Sequence, residues 1–532
     1  MLWPITTRGW LGPALAVRVS SVWCVALLVV TLGYRLRPFV GAVFLRDEVG
    51  EVTQMSRYQH ALWGIVVADQ STGQILFQEN GDQFFAAGST AKLFSTAVAL
   101  DQFGPSYRFV TPVYRSGKVA AHGRLQGNLI LRAVGDPNLS GRLNNAGHLA
   151  YSNTDHIYSA TTDSAYLPNA DPLSGLEDLV AQIAAAGIRE VNDVLVDDRL
   201  FDHVRGSGSG PSTITPIVVN DNVVDIEVVP SEDVGSPAQV YVNPTTPYLQ
   251  YDYRVRTVEA NQIPWILVRQ VSPDRFEIKG QIPQGRKPLL RIAEVEDPAK
   301  FARALLIQRL QDHGIRVARS MVAPMARELL PPVAQYRRMP VVARHMSPPF
   351  SEAIRVILKV SHNLHANMLP LLVAARNNNR SLGAGLQAER EFLDREGVDR
   401  AGVSFGDGSG AAGALVTPQA VVAFLLAMSK SANFAFYHDA LPVLGIDGTL
   451  AHVLGRDDPA RGKICAKTGT TFSFHHNHLL LTKAMVGYMT AASGRNLVFA
   501  IYVKNIPIKR RRDRFGHESV LAKVGGIFYS RF

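Results

Sequence analysis

The sequence contains very little cysteine. Only two cysteines occur in 532 residues, Cys24 near the N-terminus and Cys465 near the C-terminus. This count excludes a disulfide framework and a Cys-x-x-Cys metal site. We also find no internal repeats, no long low-complexity segment and no nucleic-acid-binding motif, so repeat architectures are excluded and nothing indicates a nucleic-acid partner.

Charged residues are scarce as well. They make up 19% of the chain, whereas 47% is hydrophobic, which excludes a disordered protein and allows two or three domains with substantial cores. The net charge of +10 fits proximity to an anionic surface such as membrane headgroups or a cell-wall polymer. A nucleic acid would fit the charge equally, but the one tight basic run, Lys509-Arg510-Arg511-Arg512, has no nucleic-acid motif beside it.

A long uncharged apolar run occurs near the N-terminus, from Val19 to Gly33. Arginines stand on both sides of it, and the pattern predicts a membrane-targeting segment that exports the rest of the chain. We favour a retained anchor over residues 19–33. A signal cleaved near Val40-Gly41-Ala42 and a buried helix of a soluble domain are the alternatives.

The remaining pattern alternates between helix and strand signals. Leu62–Ala68 and Gln74–Gln78 predict a hairpin, and the helix after it should end before Gly104. A strand-rich stretch follows up to about residue 334, with strands expected at Val191–Val196, Val218–Val229, Gln239–Val242, Tyr248–Val258 and Trp265–Val271 and a helix opened by Asp297-Pro298. Helices then predominate, before strands at Ala466–Thr470 and Asn496–Val503.

Ser89 and Lys92 form a Ser-x-x-Lys motif ahead of an apolar helical run. This spacing puts both side chains on one face at the start of a helix, where an unprotonated amine can take the hydroxyl proton. The motif alone is weak, because a chain of this length should show on the order of two chance matches. A serine near a helix start followed by a solvated lysine is the plain alternative.

Two further motifs follow in order, Ser361-His362-Asn363 and Lys467-Thr468-Gly469-Thr470. Acyl transfer needs a nucleophile, a base, a proton path and oxyanion donors. We expect Ser89 as nucleophile, Lys92 as base with its pKa lowered by burial and by Lys467, and Ser361 as proton relay. Asn363 should orient the substrate amide, and Lys467 with Thr468 and Thr470 should hold a carboxylate. Gly469 should let the substrate lie against the strand, and the backbone N–H groups of Ser89 and Thr470 are the expected oxyanion donors.

This ordered set resembles penicillin-interacting serine enzymes. The long gap between the first two motifs, together with Gly135-Asp136-Pro137, Val219-Asn220-Asp221-Asn222 and Asp407-Gly408-Ser409-Gly410, is similar to the D-alanyl-D-alanine carboxypeptidases/endopeptidases of the low-molecular-mass class C penicillin-binding proteins. The resemblance implies an α/β (α+β) fold, with a β-lactamase/transpeptidase-like serine domain split by a β-rich insertion. It also implies a serine carboxypeptidase that acts on peptidoglycan peptides and binds β-lactams covalently, with endopeptidase activity on cross-links as an additional option. The resemblance implies a location in the periplasm or at the outer face of the cytoplasmic membrane.

The expected organisation has five parts. They are a membrane anchor or signal over 1–50, the catalytic domain over 51–115 and 335–505, a β-rich insertion over 116–334, and a basic tail over 506–532. Five positions depart from the family pattern, which commonly has Leu-Ser-Arg at Ala411-Ala412-Gly413, glutamate at Asn367 and serine at Arg199. The motif residues themselves are intact.

Several alternatives compete with this interpretation. A β-lactamase or esterase of the same fold, or an inactive wall-binding scaffold, would share the fold. Gly402–Gly406 matches a hydrolase nucleophile elbow but lacks a helix directly behind it. His475-His476-Asn477-His478 could suggest a metal, but a plain loop or cleft rim is the simpler reading, so we predict no metal and no cofactor.

Overall fold

The computed structural model describes residues 44–139, 141–160, 162–206, 208–411, 413–472, 479–508 and 517–532. The predicted anchor at 19–33, the histidines at 475–478 and the basic run at 509–512 lie outside the described residues. Within the described ranges, no helix has the length and apolar character needed to cross a membrane.

Helices and strands both occur from one end of the described chain to the other. The helices are α1 (44–53), α2 (Lys92–Phe103), α3 (Ser174–Ala185), α4 (Pro298–Asp312), α5 (Phe350–Lys359), α6 (Asn363–Arg376), α7 (Leu382–Arg395), α8 (Pro418–Met428), α9 (Phe434–Asp439) and α10 (Glu518–Arg531). The strands are β1 (Leu62–Asp69), β2 (Ile75–Glu79), β3 (Phe85–Ala86), β4 (Val110–Arg115), β5 (Asn128–Arg132), β6 (Glu190–Val191), β7 (Asp193–Asp197), β8 (Val204–Arg205), β9 (Thr213–Ile214), β10 (Val223–Val229), β11 (Gln239–Asn243), β12 (Gln250–Val258), β13 (Trp265–Ser272), β14 (Arg275–Pro283), β15 (Leu289–Glu294), β16 (Arg316–Val317), β17 (Val341–Met346), β18 (Val403–Ser404), β19 (Leu415–Val416), β20 (Ile464–Phe472), β21 (Leu479–Thr490) and β22 (Asn496–Pro507).

A five-stranded antiparallel sheet organises the part of the chain that carries the motifs. Its order is β2-β1-β22-β21-β20, so strands from both ends of the chain meet at its centre. Both faces are buried, because Val66 and Ala68 point into one core and Ile65 and Val67 into another. Alternate residues of a strand face opposite sides, so β1 reads as a continuous apolar run.

The first of these cores packs α2, α5, α6, α7 and α8 against the sheet. On the other face, α1 and α10 cover the strands. The mixed helix-and-sheet fold expected from the motifs is confirmed. The hairpin prediction is also confirmed, since β1 and β2 pair antiparallel, and α2 ends at Phe103 as predicted.

The stretch between the first two motifs folds around a core of its own. The sheets β11-β10-β15, β12-β14-β13 and β17-β4-β5-β7 pack there with α3 and α4. Val113 of β4 and Ala343 of β17 belong to this core although they lie outside the predicted insertion over 116–334. The boundaries 115/116 and 334/335 stay a prediction.

Three expectations need correction. The strand predicted over Val218–Val229 begins only at Val223. Its first part is not extended, because Asn220, Asp221 and Asn222 take left-handed backbone angles with φ of 50°, 52° and 55°. The strands β14, β15 and β17 were not predicted. Part of the expected basic tail over 506–532 is instead the helix α10, which buries Leu521, Val524 and Phe528 against the sheet.

Candidate active site

Ser89 lies in a tight 3-10 turn, Gly88–Ala91, that runs directly into α2 at Lys92. The Nζ atom of Lys92 is 2.8 Å from Oγ of Ser89. Gly88 has φ of +49°, and a Cβ atom there would lie 2.9 Å from the backbone nitrogen of Thr470. Only glycine fits such a position, so the turn carrying Ser89 is held close against β20.

Lys92 is fully buried. Besides Ser89, its Nζ contacts Oδ1 of Asn363 at 2.6 Å and the carbonyl oxygen of Ser409 at 3.3 Å. Burial lowers the pKa of Lys92 to about 7, against the opposing effect of the Asp407 carboxylate. The amine is therefore partly unprotonated at neutral pH, because desolvation disfavours the charged form.

Ser361 and Asn363 stand at the junction of α5 and α6. Ser361 has φ of +64°, an uncommon angle for a serine, and its carbonyl oxygen accepts a hydrogen bond from the hydroxyl of Tyr158. Nδ2 of Asn363 donates to the carbonyl oxygen of Ser209 at 2.9 Å. Both ends of the Asn363 amide are thus engaged, one by Lys92 and one by Ser209, and its contact with the substrate amide stays a prediction.

Lys467 reaches the site from β20, at the end of the central sheet. Its Nζ is 2.8 Å from Oγ of Ser361. Burial, with Lys92 and Lys483 adding like charge, holds the pKa of Lys467 well below its usual range. Burial and Lys467 were both expected to lower the pKa of Lys92, and burial is the main cause.

Thr468 and Thr470 continue along the same strand. The hydroxyl of Thr468 is 3.0 Å from that of Thr449. The hydroxyl of Thr470 accepts from Nζ of Lys483 at 2.8 Å, and Lys483 in turn forms an ion pair with Glu518 of α10. Thr470 is therefore connected through Lys483 to the C-terminal helix.

Gly469 lies against the turn that carries Ser89. A Cβ atom at this position would lie 2.7 Å from the carbonyl oxygen of Ala87 and 3.0 Å from a methyl carbon of Thr90. The missing side chain therefore makes room for this turn, and the expectation that Gly469 lets the substrate lie against the strand stays a prediction.

Sequence reasoning missed several side chains of the site. Lys483 and Ser209 stand in segments without a motif, and only the fold brings them to Thr470 and Asn363. The Gly402–Gly406 stretch has no helix directly behind its serine, since α8 begins only at Pro418, as the argument against the elbow required.

Potential metal ligands also lie together next to the Ser361 motif. Asp221, His362 and His365 each place one ligand atom within 4.8 Å of the others, and all three are buried. The sequence analysis considered only the adjacent histidines at 475–478. The signal that could have found this group is His362-x-x-His365, two histidines three residues apart at the start of a helix.

Comparisons with known proteins agree with this geometry. Residues 45–520 match the D-Ala-D-Ala carboxypeptidase 3 (S13) family. The chain is 28% identical over 482 residues to a D-alanyl-D-alanine carboxypeptidase of Actinomadura sp. (strain R39), covering 86% of this chain and 80% of that protein. It is 25% identical over 456 residues to the D-alanyl-D-alanine carboxypeptidase DacB of Haemophilus influenzae, covering 83% and 85%.

The fold is likewise similar to a solved structure. The crystal structure of penicillin binding protein 4 from Haemophilus influenzae superimposes with a TM-score of 0.68 and 21% identity, covering 90% of this chain and 98% of that one. The match to the family extends over nearly all of the described residues. The chain therefore belongs to the D-Ala-D-Ala carboxypeptidase 3 (S13) family of serine peptidases.

Proposed function

We propose that this protein hydrolyses the terminal D-Ala–D-Ala bond of peptidoglycan stem peptides through an acyl-enzyme on Ser89. The observation that carries the proposal is the buried Lys92 amine, with its pKa near 7, at 2.8 Å from the Ser89 hydroxyl. A serine hydroxyl needs an adjacent base before it attacks a carbonyl, and a partly neutral amine at this distance supplies one.

The contacts of Lys92 also fit the geometry of a base. A neutral amine has two N–H bonds and one lone pair. Oδ1 of Asn363 and the carbonyl oxygen of Ser409 can accept the two N–H groups, which leaves the lone pair for the proton of Ser89. Asn363 thus acts as a positioning residue for the base, itself fixed by the carbonyl oxygen of Ser209.

The leaving amine must receive a proton when the peptide bond breaks. Ser361 is suited to deliver it, because its Oγ accepts from Lys467 at 2.8 Å and its own hydroxyl proton can point to the substrate. As Ser361 gives up its proton, it takes the one that Lys92 received from Ser89, so Lys92 is neutral again. Water then attacks the acyl-enzyme, and Lys92 takes the water proton and returns it to Ser89 as the ester bond breaks.

In this proposal the substrate backbone lies along the outer edge of β20. Near its start this edge is occupied, since the backbone N–H of Ala466 donates to Pro442. Alternate residues of a strand present their backbone groups to the same edge, so Thr468 and Thr470 present theirs beyond that point. An extended peptide can add there as a further strand, with Lys467 and the two threonine hydroxyls near its carboxylate and the N–H groups of Ser89 and Thr470 near the oxyanion.

The same acylation applies to β-lactams, which the chain binds covalently under this proposal. Relatives support this in part: one solved structure of penicillin binding protein 4 from Haemophilus influenzae is a complex with a β-lactam. The enzyme acts on the wall side of the cytoplasmic membrane, exported and retained by residues 19–33. It also cleaves D,D cross-links, because that bond likewise follows a D-alanine.

Labelled penicillin tests the acylation step. We expect one persistent label on Ser89 in the folded full chain, no label in Ser89→Ala or Lys92→Ala, and an unchanged label in the control Ser429→Ala. Labelling of Lys92→Ala near the wild-type rate would refute the base assignment. Rapid loss of the label with turnover of the drug would indicate a β-lactamase, and a folded chain that never labels would indicate a scaffold.

Digestion of purified sacculi tests the substrate. Loss of pentapeptide muropeptides with release of D-alanine is the expected result for the carboxypeptidase, and loss of cross-linked dimers for the endopeptidase. Ser89→Ala serves as the matched control. A chain that labels with penicillin but leaves both muropeptide classes unchanged would contradict the proposed substrate while leaving the acylation chemistry intact.

A further inference from the structure

A buried group of imidazoles and carboxylates lies directly beside the Ser361–Asn363 motif. His362 and His365 come from that motif and the first turn of α6, whereas His156 and Asp221 come from the stretch between the first two motifs. All four side chains are buried. None of them contacts Ser89 in the described structure, and the proposed mechanism uses none of them.

The carboxylate of Asp221 lies at the centre of this group. Its Oδ2 is 2.8 Å from Nε2 of His156, and its Oδ1 is 2.7 Å from Nε2 of His365 and 3.5 Å from Nε2 of His362. The rings of His362 and His365 stack with centroids 3.7 Å apart and planes 17° from parallel. Three imidazole nitrogens therefore converge on one carboxylate.

One of these nitrogens has no hydrogen-bond partner. Nε2 of His362 is buried and unpaired among the described residues, although the side chain is only 1% exposed. Leaving a buried polar atom unpaired costs about 1–3 kcal/mol. The atom points toward Asp221 and toward Oδ1 of Asp155, which is 3.9 Å away. A buried nitrogen without a hydrogen bond therefore faces the centre of the group.

His156 holds the carboxylate of Asp221 from the other side. Its Nε2 is 2.8 Å from Oδ2 of Asp221, and its Nδ1 is 2.6 Å from Oδ1 of Asp225. Hydrogen-bond partners of a ligating carboxylate orient it towards the metal. His156 therefore leaves Oδ1 of Asp221 directed at His362 and His365.

The charges leave room for a divalent cation. Three carboxylates, those of Asp155, Asp221 and Asp225, are buried here. Arg142 contacts two of them, at 3.8 Å from Asp221 and 3.6 Å from Asp225, and also approaches Nε2 of His156 at 3.4 Å. Apart from the imidazoles, three carboxylates face one guanidinium here, and buried charge is costly unless it is paired.

We propose that Asp221, His362 and His365 bind one divalent ion of the zinc class, with water as its fourth ligand. Their ligand atoms lie within 4.8 Å of one another, and two imidazole nitrogens with one carboxylate suit zinc, whereas magnesium and calcium prefer oxygen ligands. Bonds of about 2.0–2.1 Å in a tetrahedron hold ligand atoms about 3.3 Å apart. The ion therefore replaces the hydrogen bond of 2.7 Å between His365 and Asp221 and opens this contact slightly.

Such an ion would act on the active site through positioning. Two of its ligands, His362 and His365, stand on either side of Asn363 in sequence. The third, Asp221, comes from the stretch that also supplies the Ser209 carbonyl to Asn363. The ion would thus tie that stretch to the motif and hold Ser361 in its left-handed conformation.

Metal binding by the full chain tests the proposal. After chelator treatment and gel filtration, we expect calorimetry to give one Zn²⁺ per chain and the melting temperature to rise with Zn²⁺. Cobalt(II) should give the visible absorption of a four-coordinate imidazole site. His365→Gln and Asp221→Asn should lose binding at least tenfold in affinity, while His452→Gln, an exposed histidine elsewhere, should bind as the parent chain does.

Two results would overturn the site. One is the absence of Zn²⁺ binding and of a cobalt(II) spectrum in the parent chain folded by circular dichroism. The other is binding that survives His365→Gln and Asp221→Asn but disappears when His475, His476 and His478 are replaced together. If the single variants do not fold, the cobalt(II) spectrum of the parent chain and of the triple-histidine variant decides. Penicillin labelling, followed separately, reports on Ser89 whether or not an ion binds.

Discussion

At the scale of single residues, the protonation of Lys92 governs acylation. The neutral amine is the active form, and burial lowers the pKa of Lys92 to about 7. Protonation below that pKa removes the base, so the acylation rate should rise with pH, reach half of its maximum near pH 7 and level off above it. At pH 5 only about one molecule in a hundred keeps the neutral amine.

The measurement is the rate of covalent labelling by fluorescent penicillin between pH 5 and pH 8. Circular dichroism at each pH checks that the chain stays folded. A rate that is flat across this range, or that falls with rising pH, would contradict Lys92 as the base.

Gly469 offers a second test at this scale. Alanine here would place Cβ at 2.7 Å from the carbonyl oxygen of Ala87, so the Ser89 turn must shift. Forcing a methyl group into such a contact typically costs about 1–3 kcal/mol. We expect Gly469→Ala to lower the penicillin acylation rate at least tenfold.

A matched glycine is available as the control. Gly526 lies in α10, and nothing stands within 4 Å of a Cβ added there. Gly526→Ala should acylate normally and be more stable by about 0.5–1 kcal/mol, because alanine is the better helix former. Equal acylation rates for the two variants would show that the strand and the turn do not need their close contact.

At the scale of elements, β20 is held between two others. Gly469 of this strand lies against the Ser89 turn. The hydroxyl of Thr470 accepts a hydrogen bond from Lys483, which forms an ion pair with Glu518 of α10. The C-terminal helix therefore supports the strand that is proposed to seat the substrate. The apolar spacing of Val520, Leu521, Val524 and Phe528 signals this helix, and the basic run ahead of it led to the tail prediction.

Substitution of Phe528 measures how much α10 contributes to the stability of the fold. Its ring is fully buried and packs 5.2 Å from that of Phe77, centroid to centroid. Phe528→Ala should lower the free energy of unfolding by about 3–5 kcal/mol. The control Phe436→Ala removes a half-exposed ring and should cost far less. Denaturant unfolding of both variants gives the comparison, and equal losses would mean that α10 is not part of the folded core.

At the scale of the whole molecule, local sequence patterns predicted the catalytic motifs and most of the helices. The motif order predicted which side chains meet, since Lys92 contacts Ser89 and Asn363 at 2.8 and 2.6 Å. Likewise, Lys467 contacts Ser361 at 2.8 Å. The contacts between distant segments were not predictable. Ser209 meets Asn363 only because the inserted stretch folds back, and the strand β17 forms only by pairing with β4. Neither pairing leaves a periodic trace in the sequence.

The stretch over 116–334 should therefore be needed for acylation. Its excision removes the Ser209 carbonyl from Asn363 and the Tyr158 hydroxyl from the Ser361 carbonyl. It also strips β5 and β7 from the sheet that contains β4 and β17. We expect a chain joined across this gap to show no penicillin label.

As the control, a Gly/Ser replacement of 259–264, the turn between β12 and β13 that exposes Ile263, should label normally. If the excised chain labels at the parent rate, the catalytic part positions Asn363 and Ser361 alone, and the supporting contacts described here are dispensable.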